Sequence, residues 1–338
     1  MNEANITGEG LMAIDKEMAR QHDDALTSYE AAGDLAATIA DTLRSRRRVL
    51  LLGMGGSHAV NRMVEVEYRA HGIQAMAITL SEQLYSPMDT SDAAVIVTSQ
   101  SGESAEVHRI LATLGGHSAA FGITLEAGSA LGRGLPSLVG VGGTERAFAA
   151  TRSLTIALAL HLRVLAALGH DARPSLEALR ARVRLDVTEA VKLLRSCRAV
   201  IYSGRALRGL AEAMALSTTE LARMPTYALE GGQFRHGPLE ALGAQLGVVH
   251  FCADEAATSL VGSLAHDTVA GGSPTLVFDS SGSDAIHADL ILRFPKASGL
   301  ASIFTMLPSA QRFAIGLAGQ RVSDVGVPVR STKITRSE

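Results

Sequence analysis

Two apolar runs 150 residues apart, RVLLLG at 48–53 and RAVIYSG at 198–204, constrain this chain more than any other feature. Each is followed by a helical pattern, a short strand pattern ending in glutamate (Glu82 and Glu230), and another strand pattern. A repeat of that length predicts an internal duplication. Within each copy short apolar runs alternate with longer helical stretches, the signature of α/β units on a parallel sheet. Strands are expected at 48–53, 75–80, 93–98, 119–124 and 137–141, and again at 199–203, 226–229, 246–252, 274–278 and 289–294. A long apolar helix at 147–168 closes the first half, with Gly169 and Pro174 marking its end, and a helix at 174–196 opens the second. The fold class predicted is α/β: two tandem domains, each a doubly wound parallel sheet flanked by helices, over residues 1–170 with a helical N-terminal lead and residues 171–338.

At 338 residues the chain exceeds the size at which one hydrophobic core usually stops growing. Lys plus Arg number 31 against 34 Asp plus Glu, so the net charge of −3 supplies no field for nucleic acid or an anionic membrane. An anionic ligand must be bound by local groups. Cys197 and Cys252 lie in apolar runs and read as buried thiols of a cytoplasmic protein. Neither His-x-x-x-His nor Cys-x-x-Cys occurs, so no metal and no other cofactor is expected. The polar N-terminus lacks a signal-peptide pattern, and the alanine-rich helices carry Arg and His, so no membrane span is expected.

Three segments carry chemistry. LLLGMGGSHAV at 50–60 runs from a strand through a glycine-rich turn into a helix. A dinucleotide fingerprint would need a third glycine where His58 stands, which argues against a nicotinamide cofactor and leaves a tight turn or another ligand. In VIVTSQSGESAEV, 95–107, Ser99, Gln100, Ser101 and Ser104 bring hydroxyls and amides to the carboxyl end of a strand and the start of a helix. That is either an anion site or a serine-rich helix cap. In ALSTTELARMPTYALEGGQFRHGPLEAL, 215–242, Glu220 near a helix end is followed sixteen residues later by His236. Taken singly, such a glutamate is an ordinary solvated residue and such a histidine a structural one.

The pairing of GMGGSHAV at 53–60, similar to the family pattern Gly-x-Gly-x-Ser-x-x-Ala, with SQSGES at 99–104 resembles the SIS sugar-phosphate family in tandem copies, and in particular the isomerase half of glucosamine-6-phosphate synthase. The resemblance spans nearly the whole chain, from MAIDKEMARQ at 12–21 to the C-terminal tail. It implies that Gly55, Ser57, Ser99, Gln100, Ser101 and Ser104 cradle the phosphate of a sugar phosphate. It implies that Glu220 moves a proton between C1 and C2, that His236 assists ring opening, and that Lys333 in VRSTKITRSE stabilises enolate charge. It also implies a homodimer in which His236 serves the neighbouring subunit's site.

Departures accompany the match. Ser217 and Thr219 stand where the family has lysines, and serine cannot form an imine. GTERAFAATRSLT at 143–155 is similar to the family's Glu-x-x-Val-Ala-Ser-Thr-Lys segment, with Ala150 in place of a sugar-contacting serine. Asn2 stands where the synthase's glutamine-hydrolysing half would need its cysteine, so ammonia from glutamine is not expected. The function expected is an aldose–ketose isomerase of a hexose or amino-hexose phosphate, with or without deamination. The alternatives are a fructosamine-phosphate deglycase and a non-catalytic sugar-phosphate regulator.

Overall fold

The computed structural model describes residues 8–336, and among these ten strands form two five-stranded parallel sheets. The first contains β1 (Arg48–Gly53), β2 (Gln74–Thr79), β3 (Ala94–Thr98), β4 (Ala120–Thr124) and β5 (Ser137–Val139), in the order β2-β1-β3-β4-β5. The second contains β6 (Ala199–Gly204), β7 (Thr226–Glu230), β8 (Leu246–Ala253), β9 (Thr275–Ser280) and β10 (Leu290–Arg293), in the equivalent order β7-β6-β8-β9-β10. In each sheet the winding direction reverses beside the first strand, between β1 and β3 and between β6 and β8. Such a reversal opens a crevice at the carboxyl ends of the strands, where α/β folds bind ligands.

All ten strands begin and end within two residues of the apolar runs that marked them. Strands covered on both faces read as unbroken hydrophobic runs, which is why AVIVT of β3 and AFGIT of β4 are both fully buried.

The helices are α1 (Glu9–Ala31), α2 (Gly33–Arg46), α3 (Gly55–Ala70), α4 (Leu80–Tyr85), α5 (Ala105–Thr113), α6 (Ala130–Gly134) and α7 (Arg152–Ala167). They continue as α8 (Arg173–Ala181), α9 (Thr188–Leu194), α10 (Arg208–Ala222), α11 (Gly231–Arg235), α12 (Thr258–Ala270) and α13 (Gly299–Gly319). The chain divides into two compact units. One holds the described residues up to Asp15 with Glu177–Val327; the other holds Lys16–Leu176 with the described residues from Pro328.

Three local expectations are corrected. The single helix at 174–196 is two, α8 and α9. Arg182 turns into the left-handed region (φ 49°), Asp186 accepts the Thr188 amide at 2.9 Å to start α9, and Leu185 N–H donates to the Ser309 hydroxyl at 3.0 Å. The helix expected from 147 begins at Arg152, because the Glu145 carboxylate captures the amides of Thr151 and Arg152 and fixes the preceding residues as an irregular loop. Glu82 does not end a strand: β2 stops at Thr79, whose hydroxyl accepts the Glu82 amide and caps α4. Cys197 and Cys252 are buried and unlinked. No helix among the described residues is long and apolar enough to cross a membrane.

Candidate active site

Four segments of one unit converge at the carboxyl ends of β1 and β3. Gly53 and Thr98, the last residues of those strands, are register partners. The β1 turn is tight: a Cβ on Gly53 would lie 3.0 Å from the His58 amide, and Gly55 has φ of 51°. Gly56 in turn lies against Ala150 and Leu154, which places the 143–155 segment beside Ser57.

After β3 the loop folds so that the hydroxyls of Ser99 and Ser101 have no acceptor for their protons among the described residues. The Ser99 hydroxyl oxygen accepts the Gly102 amide at 3.1 Å, and that of Ser101 accepts the Glu103 amide at 3.3 Å. Each hydroxyl keeps its proton to give. Ser104 takes the cap position of α5 without a side-chain capping bond, and Gln100 Nε2 is buried with no partner among the described residues. The loop's own carboxylate is turned aside: Glu103 accepts the Ala130 amide at 2.7 Å and meets His108 at 3.2 Å. The Ala130 amide, with lesser help from His108 and Arg133, holds Glu103 below the usual carboxylate range. Gly102 cannot be replaced without distortion, since its φ is 64° and a Cβ would sit 2.1 Å from the Ser129 hydroxyl.

Beneath this loop runs a buried chain absent from the sequence reading. The Thr98 hydroxyl donates to Asn61 Oδ1 at 2.9 Å and also accepts from His161 Nε2 at 3.4 Å. That assigns the His161 proton to Nε2 and leaves Nδ1 to accept from the Tyr68 hydroxyl at 3.0 Å. Complete burial pushes His161 down to about 3, so the ring is neutral at ordinary pH. Asn61, four residues after Ser57, and Thr98, immediately before Ser99, thereby tie the two turns of the cradle together.

The 143–155 segment is anchored by Arg152, which is wholly buried. Its guanidinium donates to Glu17 at 2.6 Å, Asp24 at 2.9 Å and the Gly143 carbonyl at 2.7 Å. The tail comes to the same place: the Ala105 amide donates to the Thr335 carbonyl at 3.0 Å, and Lys333 Nζ lies 3.3 Å from the Phe148 carbonyl and 3.5 Å from Glu145. Of the nine expected site residues, Gly55, Ser57, Ser99, Gln100, Ser101, Ser104 and Lys333 therefore belong to this unit.

Glu220 and His236 belong to the other unit. Glu220 is half-buried in the last turn of α10, one turn beyond the buried Ser217. That helix end is pinned by Thr219, which meets the Thr226 hydroxyl at 2.6 Å, and by Arg223, which donates to Asp324 at 2.8 Å. His236 follows α11 directly and is exposed. The α11 turn is set by Glu230, which accepts the amides of Gly232 and Gln233 at 2.7 and 3.0 Å and pairs with Arg205 at 3.2 Å.

Three solved structures share this architecture. The C-terminal domain of glucosamine-fructose-6-phosphate aminotransferase from Francisella tularensis superposes with a TM-score of 0.83 at 18% identity, over 94% of this chain and 98% of that one. Tagatose-6-phosphate ketose/aldose isomerase from Escherichia coli gives 0.78 at 20% identity, over 94% and 97%. Glucosamine-6-phosphate deaminase from Thermotoga maritima gives 0.76 at 18% identity, over 96% and 100%. This chain has their fold. No protein-family profile and no curated protein sequence matches it significantly. The fold is the one implied by the SQSGES resemblance, and at these identities the likeness speaks for architecture alone.

Among the described residues no group of three or more His, Cys, Asp or Glu side chains is placed to hold a metal ion. A cavity of about 470 Å³ lies at the opposite end of the first sheet, lined by Arg48 and Leu50 of β1, Gln74 and Met76 of β2 and Arg69 of α3. It takes no part in the strand-end cradle. Sequence reasoning missed the Asn61–Thr98–His161–Tyr68 chain and the contacts of Glu145, although Glu145 stands in the quoted 143–155 segment and Gly102 in the quoted SQSGES turn.

Proposed function

We propose that this chain is a phosphosugar isomerase that interconverts the ketose and aldose forms of a hexose or amino-hexose phosphate. The reading rests on the strand-end cradle: Ser57, Ser99, Ser101, Ser104 and Gln100 offer hydrogen-bond donors at the switch point of a parallel sheet. A phosphate supplies the acceptors that this arrangement lacks, and it needs no lysine to be held there. The folds of an isomerase and a deaminase of phosphorylated sugars lend support.

In this reading Glu220 carries the proton between C1 and C2, His236 assists ring opening, and Lys333 offers positive charge to the developing oxyanion. Ser217 leaves imine chemistry at C2 without its lysine, which favours proton transfer through an enediol. The protein acts as a homodimer in which His236 of one subunit serves the site of the next.

Turnover in deuterated water tests the chemistry. Substrate is expected to gain deuterium at C1 or C2, and Glu220→Gln to slow that exchange by a factor of about 10² to 10⁴ while sugar-phosphate binding persists. Full exchange in Glu220→Gln would refute the role of Glu220. Released ammonia or amine, scored in the same reaction, separates deamination and deglycation from simple isomerisation. Mixing Glu220→Ala and His236→Ala proteins under subunit exchange is expected to restore part of the activity. No recovery despite proven exchange would assign both residues to one subunit's site.

A further inference from the structure

Glu145 is wholly buried, and a carboxylate taken out of water must be compensated. Its Oε1 is saturated by the α7 start: the Thr151 amide at 2.9 Å, the Thr151 hydroxyl at 2.8 Å and the Arg152 amide at 2.8 Å. Its Oε2 accepts the Ser153 hydroxyl and faces the Lys333 ammonium at 3.5 Å. The nearby Arg152 guanidinium is committed to Glu17 and Asp24. Lys333 therefore supplies a full positive charge to a carboxylate otherwise held by neutral donors.

The tail is fastened a second time two residues on, where the Thr335 carbonyl takes the first amide of α5, directly after Ser104 of the cradle. Lys333 thus sits between a fixed anion and the phosphate loop. Its side chain is only 22% exposed, against 57% for Lys192 and 64% for Lys296.

We infer that Glu145 is the positioning residue for Lys333: its buried charge docks the tail ammonium beside the strand-end cradle. The inference builds on the function proposed above, since an ammonium stationed there is what a developing oxyanion would use. The docking itself is a property of the folded chain and is testable without substrate. The ammonium is drawn to its station by one charge and confined by the Phe148 carbonyl and the Thr335 hold, so removing that charge frees the tail while the hydroxyl and amide bonds around position 145 keep an acceptor.

The chain has only four lysines, Lys16, Lys192, Lys296 and Lys333, so amine labelling with a small reductive-methylation reagent can be followed at each by mass spectrometry. In the native protein Lys333 is expected to label slowest. In Glu145→Gln its rate rises about tenfold, toward that of Lys296, while Lys16, Lys192 and Lys296 keep theirs. Glu145→Asp, which retains the charge, restores most of the protection. Equal labelling of Lys333 in the native protein and Glu145→Gln overturns the inference.

Should Glu145→Gln fail to fold, Lys333→Met reads the same pair from its other side. Leaving the buried carboxylate without its cation should lower Tm, and an unchanged Tm overturns the docking. In active enzyme, Glu145→Gln should lower kcat at least tenfold with KM changed less than about threefold, matching Lys333→Met. Protection of Lys333 with no isotope exchange on any sugar phosphate would refute the proposed function and leave the docking intact.

Discussion

The two sheets wind in the same order yet furnish their reversal points in opposite ways. Between β1 and β3 the chain presents serine hydroxyls and an amide whose protons have no acceptor among the described residues. After β6 and β7 it presents Arg205 paired with Glu230 at 3.2 Å, and after β8 Glu255, which feels the same guanidinium although its Oε1 and Arg205 Nε have no hydrogen-bond partner among the described residues. Burial acts to raise Glu230, but the Gly232 and Gln233 amides and Arg205 outweigh it and hold the carboxyl low. Burial dominates at Glu255 and pushes it up, against the Ala206 amide and Arg205. The Arg205 side chain also fills the space over Gly231 and Gly232, where a Cβ would come within 2.9 Å of its nitrogens. One strand end presents neutral donors and the other carries its own Arg205–Glu230 ion pair. An equivalent topology therefore does not make an equivalent site.

The largest test of that contrast is an affinity measurement. Ser101→Asp places a carboxylate in the donor array and should weaken binding of phosphate and sugar phosphates at least a hundredfold, about 3 kcal/mol. Arg205→Ala should leave the same affinity unchanged in calorimetric titration. Loss of phosphate binding in Arg205→Ala would transfer the anion site to the second sheet.

Acid should then reveal what the sheets have in common. His161 in the unit of the first sheet and His250 in the unit of the second sheet are each held at about 3, in both cases chiefly by burial. A base whose folded pKa is depressed stabilises the fold above its unfolded value of about 6.5, and that stability is lost as pH falls toward the folded value. Each histidine should contribute about 1.4 kcal/mol of lost stability per pH unit in that window. Denaturant titrations of His161→Asn and His250→Asn should each show a shallower decline, and an unaltered slope in either would mean that histidine is already charged in the fold.

Smaller effects follow from the ion pair. Arg205→Met should cost about 1 to 2 kcal/mol in urea unfolding, since Glu230 and Glu255 lose their shared cation while Glu230 keeps its two amides. Glu255→Gln should produce the smallest change. A carboxyl whose folded pKa is raised favours folding below its unfolded value, and that contribution disappears as pH rises through the folded one. The variant should gain up to about 1 kcal/mol at neutral pH and nothing in acid, where the native carboxyl is protonated in both states. A loss at neutral pH would show that the Arg205 attraction exceeds the burial penalty.

Sequence reading located what is local and repetitive. A β-branched run such as AAVIVT declares a buried parallel strand, and SQSGES directly after it declares a polar turn at a strand end. It placed Glu230 at a strand end but could not bring Arg205 and Glu255 to it, each 25 residues away and joined to it only through strand order. Nor could it foresee the break at Arg182, where a left-handed residue and a distant serine override an otherwise helical pattern. Glu145 stayed hidden for a related reason: its meaning depends on a tail residue 188 positions away.

The discontinuity of the two units has a consequence for biosynthesis. The unit with the SQSGES loop is begun at Lys16 and is nearly finished at Leu176, but Lys333 is translated only after the whole of Glu177–Val327. Throughout that interval the nascent unit can already fold its first sheet around Arg152 and Glu17 while Glu145 waits without a counter-ion. The strand-end cradle and the Lys333 charge are thus separated in time on the ribosome, and a chain released after residue 327 would own the cradle without Lys333.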